Sequence, residues 1–358
     1  MASLHAPGHE RRWRHFNRVL LGGAALVSCV LYAFIVLVDP HDHLALSLPL
    51  ERVPINQNQR FSYPALARSD AFDAVVIGTS TSRLVRPQNL DRSLAARFVN
   101  LSMNSATAYE QARLLEVFLR HHPQPRFVLL GLDAPWCSLE ADTERYTFRE
   151  FPQWLYDTDP FNDYLHLFNG KALEQAVRMV QFWAGLREPR YGRDGYRNFL
   201  PDASQYDLAR ARELIYGPAG VRERDRPSSP ATVPLAERAA WRIPGTELLR
   251  DLLARIPPHT GVLLFFVPYH VFQQPLPGTL AHARWQECRA RVVAAARARP
   301  GTRVIDFMIE SPLTLRDEHY WDPLHFNTTV ADSVDAALAG ALRDVSLRHS
   351  AFTWLHPK

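Results

Sequence analysis

Cysteine is scarce in this chain of 358 residues, which contains Cys29, Cys137 and Cys288 and no other. Two cysteines in a large domain do not make a disulfide framework, so we expect Cys137 and Cys288 to be buried free thiols, although they could pair in an oxidising compartment. Zinc-ligand spacings such as Cys-x-x-Cys are missing as well. The sequence therefore predicts no metal site and no other cofactor.

Net charge is also low beyond the first residues of the chain. The whole sequence has a formal net charge of +4 at pH 7. Four arginines and one glutamate within the first 18 residues account for +3 of that charge. The remaining sequence is nearly neutral and offers no strongly basic surface, which argues against nucleic acid as a partner.

One long hydrophobic run is present, at residues 19–38, and it contains no charged residue. At about 1.5 Å per residue it matches one crossing of a hydrocarbon core about 30 Å thick. Arginines precede the run and no Lys or Arg follows it until Arg52. The positive-inside rule then predicts a cytoplasmic basic tail at 1–18, a transmembrane helix at 19–38 and an exported remainder.

Two other interpretations of this run are a cleaved signal peptide and a lipoprotein processed at Cys29. A secretory hydrophobic region typically has about 7–15 residues, whereas this run is longer. Further apolar residues follow Cys29, where a mature lipoprotein usually becomes polar. The length therefore favours an uncleaved anchor.

Beyond a linker at 39–69, short apolar runs alternate with helical patterns. The runs lie at residues 74–78, 97–101, 127–132, 261–267 and 302–307. Continuous apolar runs of this length, separated by helices, are typical of a parallel sheet that helices cover on both faces. The predicted fold class is therefore α/β, with a doubly wound parallel five-stranded sheet.

The predicted sheet domain extends over residues 70–345. Residues 139–243 interrupt its alternating pattern, with many aromatic residues and arginines and with clusters of Pro, Gly and Ser. This composition predicts a largely helical insertion, which could cover an active site or bind a partner. Residues 346–358 are predicted to form a C-terminal tail.

Two short motifs contain the residues of a serine-hydrolase site. Gly-Thr-Ser-Thr-Ser at 78–82 follows the first predicted strand, and Asp-Pro-Leu-His at 322–325 precedes the last predicted helix. A serine hydroxyl becomes a good nucleophile when an imidazole accepts its proton and a carboxylate orients the imidazole. Ser80, His325 and Asp322 are therefore the candidate nucleophile, base and orienting carboxylate.

The residues that follow Ser80 offer alternatives. Ser82 is a second candidate nucleophile, but two positions further along a turn or helix start it should point away from His325. Arg83 is expected to pair with a local carboxylate, and binding of an anionic substrate is the alternative role. Ser80 is the favoured nucleophile.

With these motifs in this order, the chain resembles the SGNH (GDSL-like) hydrolase superfamily over about residues 70–138 and 260–345. The resemblance implies a flavodoxin-like SGNH fold, with the catalytic residues named above. Residues 77–80 resemble the first family block, with Thr79 in place of the usual Asp. Residues 322–325 resemble the last block.

The resemblance also implies an oxyanion hole, formed by two middle blocks at residues 99–107 and 130–133. Ser105 stands where the family has a glycine, and its backbone N–H survives that substitution. Asp133 stands where the family has a donor Asn, and an ionised Asp accepts hydrogen bonds rather than donating them. Asn100 or Asn104 could compensate for the missing donor.

The anchored and exported topology is similar to that of SGNH-like proteins that modify cell-envelope polysaccharides. This implies a single-pass protein of the bacterial inner membrane, with a periplasmic domain that works as a serine esterase or O-acyltransferase through a Ser80 acyl-enzyme. The implied substrate is an envelope glycan or an acyl donor, and a membrane protein could be a further partner. A non-catalytic SGNH-fold protein for envelope assembly or glycan binding is the alternative, motivated by Asp133 and the insertion.

Overall fold

The computed structural model describes residues 7–139, 145–159, 161–225, 227–343 and 348–357, and for residues 7–9 it describes the backbone alone. The start of the predicted basic tail, a few positions of the predicted insertion and the junction of the sheet domain with the predicted C-terminal tail lie outside these described residues. The strands are β1 (Ala74–Ile77), β2 (Phe98–Asn100), β3 (Phe127–Leu132), β4 (Gly261–Phe266), β5 (Thr302–Asp306) and β6 (Thr353–His356). The helices are α1 (Pro7–Val38), α2 (Gln59–Arg68), α3 (Pro87–Leu94), α4 (Ala108–His121), α5 (Ala134–Cys137), α6 (Asn162–His166), α7 (Gly170–Trp183), α8 (Leu208–Tyr216), α9 (Leu235–Ala240), α10 (Pro244–Arg255), α11 (Leu280–Arg297) and α12 (Thr328–Arg343).

The strands form one sheet in the order β2-β1-β3-β4-β5-β6. The first five strands are parallel, and β6 is antiparallel to β5. The predicted α/β class is confirmed, but the sheet has six strands rather than the predicted five. The sequence pattern missed β6 because this edge strand is short and only partly buried, so it lacks the continuous apolar run of a central strand.

The order of the strands positions the site. From β1 the chain crosses to β2 on one side, and it then returns to β3 on the other side of β1. Where a parallel sheet reverses direction in this way, the loops after the neighbouring strands separate and leave a crevice at the carboxyl ends. The turn that contains Ser80 follows β1 directly, so it lies at this crevice.

Several of the helices also pack against each other. Helix α3 packs against α12, whereas α4 packs against both α2 and α10. The start of α4 is fixed by a capping box, in which the Thr107 side chain accepts the N–H of Glu110 and the Glu110 carboxylate accepts the N–H of Thr107. Glu110 also accepts a hydrogen bond from the buried Arg60 on α2, at 2.8 Å from Nε. This packing fixes the loop before α4, which contains the middle site residues.

Between β3 and β4 the chain forms α5 to α10, and the described residues of this segment include no strand. Helix α8 contacts the loop that leads into the predicted Asp-Pro-Leu-His motif. Arg212 donates from Nε to Asp317 at 2.7 Å, and the Tyr216 hydroxyl donates to the same carboxylate at 2.7 Å. The inserted segment therefore packs onto the region of the candidate site.

Helix α1 is longer than the apolar run that the sequence shows. Over Glu10–Val38 it is long and apolar enough to be a membrane span or a signal sequence. Its last residues do not project freely, since Ile35, Val36 and Val38 are buried against side chains around α7. The end of α1 is thus packed into the same structure as the sheet domain.

Cys137 and Cys288 form a disulfide that joins the end of α5 to α11, with their Cα atoms 5.5 Å apart. The expectation of two free thiols is wrong. The two cysteines are separated by 151 residues, and only the packing of α11 beside α5 brings them together. Cys29 is a free cysteine exposed on α1.

Candidate active site

Ser80, His325 and Asp322 lie next to each other at the carboxyl edge of the sheet. The Ser80 hydroxyl is 2.9 Å from Nε2 of His325, and Nδ1 of His325 is 2.7 Å from a carboxylate oxygen of Asp322. Ser80 comes from the turn after β1, and the other two residues come from the loop before α12. The structure therefore brings together the three residues that the two sequence motifs supply.

Asp322 also organises the backbone of its own loop. Its second carboxylate oxygen accepts the N–H groups of Leu324 at 2.8 Å and of His325 at 3.0 Å. Such an Asx turn is local, and it sets the three-residue spacing that lets one carboxylate hold both the turn and the imidazole. The Asp-Pro-Leu-His sequence thus folds into a unit with a fixed imidazole direction.

The electrostatics of this unit keep Asp322 ionised. Burial by itself would raise the pKa of Asp322, but the hydrogen bond and charge of His325, together with the two backbone N–H groups, hold this pKa below its usual value. An ionised Asp322 accepts the proton on Nδ1, so Nε2 of His325 carries the lone pair that faces Ser80. The arrangement suits transfer of the Ser80 proton to His325.

Ser82, the alternative nucleophile, is buried under the turn. Its hydroxyl lies so close to Gly78 and Gly131 that a Cβ atom on either glycine would overlap with it. Within the described residues this hydroxyl has no hydrogen-bond partner. The structure thus uses Ser82 as a small packing residue between β1 and β3, while Ser80 contacts the imidazole.

Asn100 has a structural role in place of the predicted oxyanion role. Its Nδ2 donates to the carbonyl oxygens of Ser82 at 2.9 Å and of Val85 at 2.8 Å. Its Oδ1 accepts the N–H of Ser102 at 3.0 Å. The amide of Asn100 is therefore engaged in holding the turn after Ser80, which leaves it without the free donor that the predicted compensating role requires.

Ser105 has the backbone conformation of the glycine that it replaces. Its φ is +52°, in the left-handed region, and its side chain is exposed. The loop is tied to the nucleophile turn because the N–H of Met103 donates to the carbonyl of Gly78 at 3.0 Å. Among the described residues, no acceptor binds the backbone N–H of Ser80 or of Ser105. The oxyanion role that the resemblance implies for the Ser105 N–H is compatible with this hydrogen bonding.

We expect Ser105→Gly to raise the free energy of unfolding by about 0.5–1 kcal/mol, because the left-handed conformation costs an L-residue about 1–2 kcal/mol and glycine offsets part of this gain through its greater unfolded-state entropy. Chemical denaturation of the purified protein and of the variant measures this difference in the free energy of unfolding. Ala95→Gly, at φ +49° outside the site, should give a similar gain. A loss of stability in Ser105→Gly would show that the Ser105 side chain matters more than its backbone.

Arg83 has no carboxylate partner in the described part of the chain, contrary to the expectation of a local ion pair. It is buried, it donates from Nη1 to Oδ1 of Asn104 at 2.5 Å, and its guanidinium lies 4.5 Å from the ring centroid of Phe199. Because arginine only donates, this bond fixes the orientation of the Asn104 amide, and its Nδ2 donates to none of the described residues.

Phe199 was not predicted as a site residue. It belongs to the inserted segment between β3 and β4, and its ring stands edge-on to His325 with the centroids 5.3 Å apart. A single phenylalanine in an aromatic-rich stretch gives no sequence signal of such a contact. The insertion thus contributes directly to the wall of the site.

Asp133 is buried at the end of β3, and it accepts a hydrogen bond from the Thr79 hydroxyl. Burial raises the pKa of Asp133 to about 7, although the hydrogen bond from Thr79 and the nearby Tyr269 hydroxyl act in the opposite direction. Its second carboxylate oxygen has no hydrogen-bond partner within the described residues. At the position of the expected donor Asn, the chain therefore has a carboxyl group that stays protonated up to about pH 7.

The site is open to solvent, since Ser80 is half-buried and the side chains of His325 and Asp322 are 18% and 33% exposed. A cavity of about 910 Å³ lies elsewhere, between the start of α2 and α7, and no residue of the triad lines it. Among the described residues, no cluster of His, Cys, Asp and Glu is arranged to hold a metal ion. The chemistry that the geometry supports is nucleophilic attack by serine.

Comparison with protein-family models gives no match for this chain, and comparison with curated proteins gives no significant match.

Proposed function

We propose that this protein is a membrane-anchored, extracytoplasmic serine esterase or O-acyltransferase of the SGNH type, which acts on a cell-envelope glycan through a Ser80 acyl-enzyme. The observation that carries the proposal is the continuous hydrogen-bonded series from Asp322 through His325 to Ser80. The parallel strands have the order 2-1-3-4-5, which is that of flavodoxin-like doubly wound sheets. The position of Ser80 after β1 also fits the SGNH type.

In the first half of the proposed reaction, Ser80 Oγ attacks the carbonyl carbon of an ester, and its proton moves to Nε2 of His325. The carbonyl oxygen becomes an oxyanion, which the backbone N–H groups of Ser80 and Ser105 can stabilise. When the ester C–O bond breaks, the departing alkoxide takes the proton from His325. The acyl group is then covalently bound to Ser80.

In the second half, a hydroxyl group attacks the acyl-enzyme while His325 accepts its proton. Water as the attacking group releases a carboxylic acid, which is the esterase reaction. A sugar hydroxyl releases a new ester, which is the transferase reaction. In both cases Ser80 recovers its proton from His325, so the two activities differ only in the acceptor that enters the site.

The proposed location is the bacterial inner membrane, with a single span and a periplasmic domain. The arginines before residue 19 favour a cytoplasmic N-terminus. Burial of Ile35, Val36 and Val38 supports a retained helix rather than a cleaved one, because cleavage would remove part of a packed hydrophobic cluster. The disulfide between Cys137 and Cys288 supports an oxidising compartment.

The proposed glycan substrate and the membrane protein partner rest on the resemblance to proteins that modify envelope polysaccharides. Two features of the site support a sugar-containing substrate. Aromatic side chains of the insertion, Phe199 and Tyr191, lie beside the site residue Arg83. Arg83 itself is a buried cation whose described neighbours are the Asn104 amide, the Tyr63 hydroxyl and aromatic rings, and an acidic group of a glycan or acyl donor would supply the counter-charge that these lack.

A non-catalytic role in envelope assembly or glycan binding remains the second candidate. The observation in its favour is Asp133, which is buried and accepts a hydrogen bond at the position where the resemblance implies a donor for the oxyanion. Loss of one such donor typically costs about 10²–10³ in rate. The backbone N–H groups are unaffected by this change, so we favour the catalytic function.

Reaction with a fluorophosphonate probe tests the proposal. The purified full-length protein should be labelled covalently, since the probe reacts with an activated serine, and Ser80→Ala should abolish the labelling. Ser82→Ala is the matched control, because Ser82 is a neighbouring serine without contact to the imidazole, and it should label like the unmodified protein. Absence of labelling, or equal labelling of Ser80→Ala, would favour the non-catalytic role.

A further inference from the structure

The last turns of helix α1 pack against the rest of the protein. Ile35, Val36 and Val38 are buried, and they form a hydrophobic cluster with side chains of α7 such as Ala176 and Met179. Exposed apolar side chains earlier in α1 include Val19, Leu20, Leu26, Val27 and Val30. Only this earlier part of the helix can be surrounded by lipid on all sides.

Tyr32 of α1 contacts the domain. The Tyr32 hydroxyl donates to the carbonyl of Tyr164 at 2.8 Å, and its ring centroid lies 5.7 Å from that of Phe168. Tyr32 precedes Val38 by six residues, which corresponds to about 9 Å along the helix axis. Tyr164 and Phe168 therefore contact α1 well before its apolar run ends.

The part of α1 between Arg18 and Tyr32 is too short by itself to cross a bilayer. Residues 19–31 comprise 13 residues, or about 20 Å of helix, whereas the hydrocarbon core is about 30 Å thick. The span cannot be extended toward the N-terminus at low cost, because Arg18 and Arg14 would enter the hydrocarbon. About 10 Å of the crossing is thus made by the segment of α1 that the domain covers.

The segments that pack against the end of α1 expose several large apolar side chains. Phe161 before α6, Leu165 in α6 and Phe168 after it are 79%, 81% and 59% exposed. On α7, Val177 and Val180 are exposed at helical spacing, and Leu186 after α7 is 80% exposed. We call these residues the apolar face. The charged side chains of α7, Lys171, Glu174 and Arg178, line the 910 Å³ cavity instead.

We propose that the apolar face is embedded in the outer half of the bilayer, where lipid acyl chains cover it. This inference rests on the proposed membrane anchor. It is favoured over a water-exposed face because Phe168 contacts the same turn of α1 that the bilayer must enclose, and because side chains such as Leu165 are apolar and almost fully exposed. The position of the domain relative to the bilayer is then fixed by the embedded face as well as by α1.

Fluorescence quenching in nanodiscs tests the inference with the full-length chain. In a Cys29→Ser background, an environment-sensitive fluorophore is attached at Leu165→Cys, and the nanodiscs contain phosphatidylethanolamine and phosphatidylglycerol with brominated acyl chains. The disulfide protects the other two cysteines from labelling. Leu26→Cys on α1 and Leu235→Cys on α9 are matched controls, with the parent leucines 66% and 79% exposed. We expect quenching at positions 165 and 26 and none at 235.

The outcomes separate the inference from the proposed anchor. Quenching at position 26 but not at position 165 overturns the embedded face and leaves the anchor intact. Absence of quenching at both positions refutes the anchor as well. A third outcome is that the fluorophore at position 165 is not quenched in the nanodiscs but reports an apolar environment in native membranes. A protein partner then covers the face, and the lipid assignment is wrong.

Discussion

Under the proposed mechanism, Asp322→Asn is expected to lower the rate of ester cleavage by about 10⁴-fold, an effect of the size seen when a catalytic triad loses its carboxylate in this way. Asp322 accepts the proton on Nδ1 of His325 at 2.7 Å. An asparagine at this position can donate from its amide to Nδ1, which moves the imidazole proton to Nε2. Nε2, which faces Ser80, then has no lone pair with which to accept the serine proton.

The measurement is the single-turnover acylation rate with a chromogenic ester. Asp332→Asn is the matched control, because Asp332 is an exposed carboxylate on α12 that pairs with Arg86, and its loss should change the rate little. The Asx turn should survive in Asp322→Asn, since an amide oxygen can accept the same backbone N–H groups. A reduction of less than tenfold would mean that Asp322 does not orient the base.

A second large effect is expected on stability: Asp133→Asn should raise the free energy of unfolding by up to about 4 kcal/mol above pH 7. Burial raises the pKa of Asp133 from 3.8 to about 7. Each pKa unit corresponds to about 1.4 kcal/mol, and about three units separate the folded and unfolded states. Asparagine is neutral and can still accept the Thr79 hydroxyl, so it removes the cost of burying a charge.

The stability difference between Asp133→Asn and the unmodified protein depends on pH. Below about pH 4, Asp133 is protonated in both states, so burial carries no charge penalty. As the pH rises from 4 to 7, the unfolded state releases its proton while the folded state keeps it, and the unmodified protein loses stability. Above pH 7 both states are ionised, and the difference between the variant and the unmodified protein is greatest and constant.

Urea unfolding between pH 4 and pH 8 measures this difference. Burial also raises the pKa of Asp335 to about 7 and that of Asp306 to about 6. Both groups are present in each protein, so their contributions cancel in the comparison. Asp70→Asn is the control for the same substitution at an exposed carboxylate. A pH-independent gain for Asp133→Asn would show that Asp133 does not titrate in this range.

The sequence by itself determined the parts of this protein that depend on neighbouring residues. The apolar runs predicted the parallel strands, because a strand buried on both faces must be apolar along its length. The Asp-Pro-Leu-His motif was recognisable because Asp322 closes its own turn through backbone N–H groups two and three residues away. The glycine before Ser80 and the long run at 19–38 are local signals of the same kind.

Only the tertiary structure decided the features that join distant segments. The disulfide connects residues 151 positions apart, and Phe199 reaches His325 from an inserted segment with no recognisable pattern. Asn100 looked like a candidate donor in the sequence, yet the carbonyls of Ser82 and Val85 occupy its amide. Such contacts depend on how helices and loops pack in three dimensions, and neither residue type nor spacing along the chain encodes them.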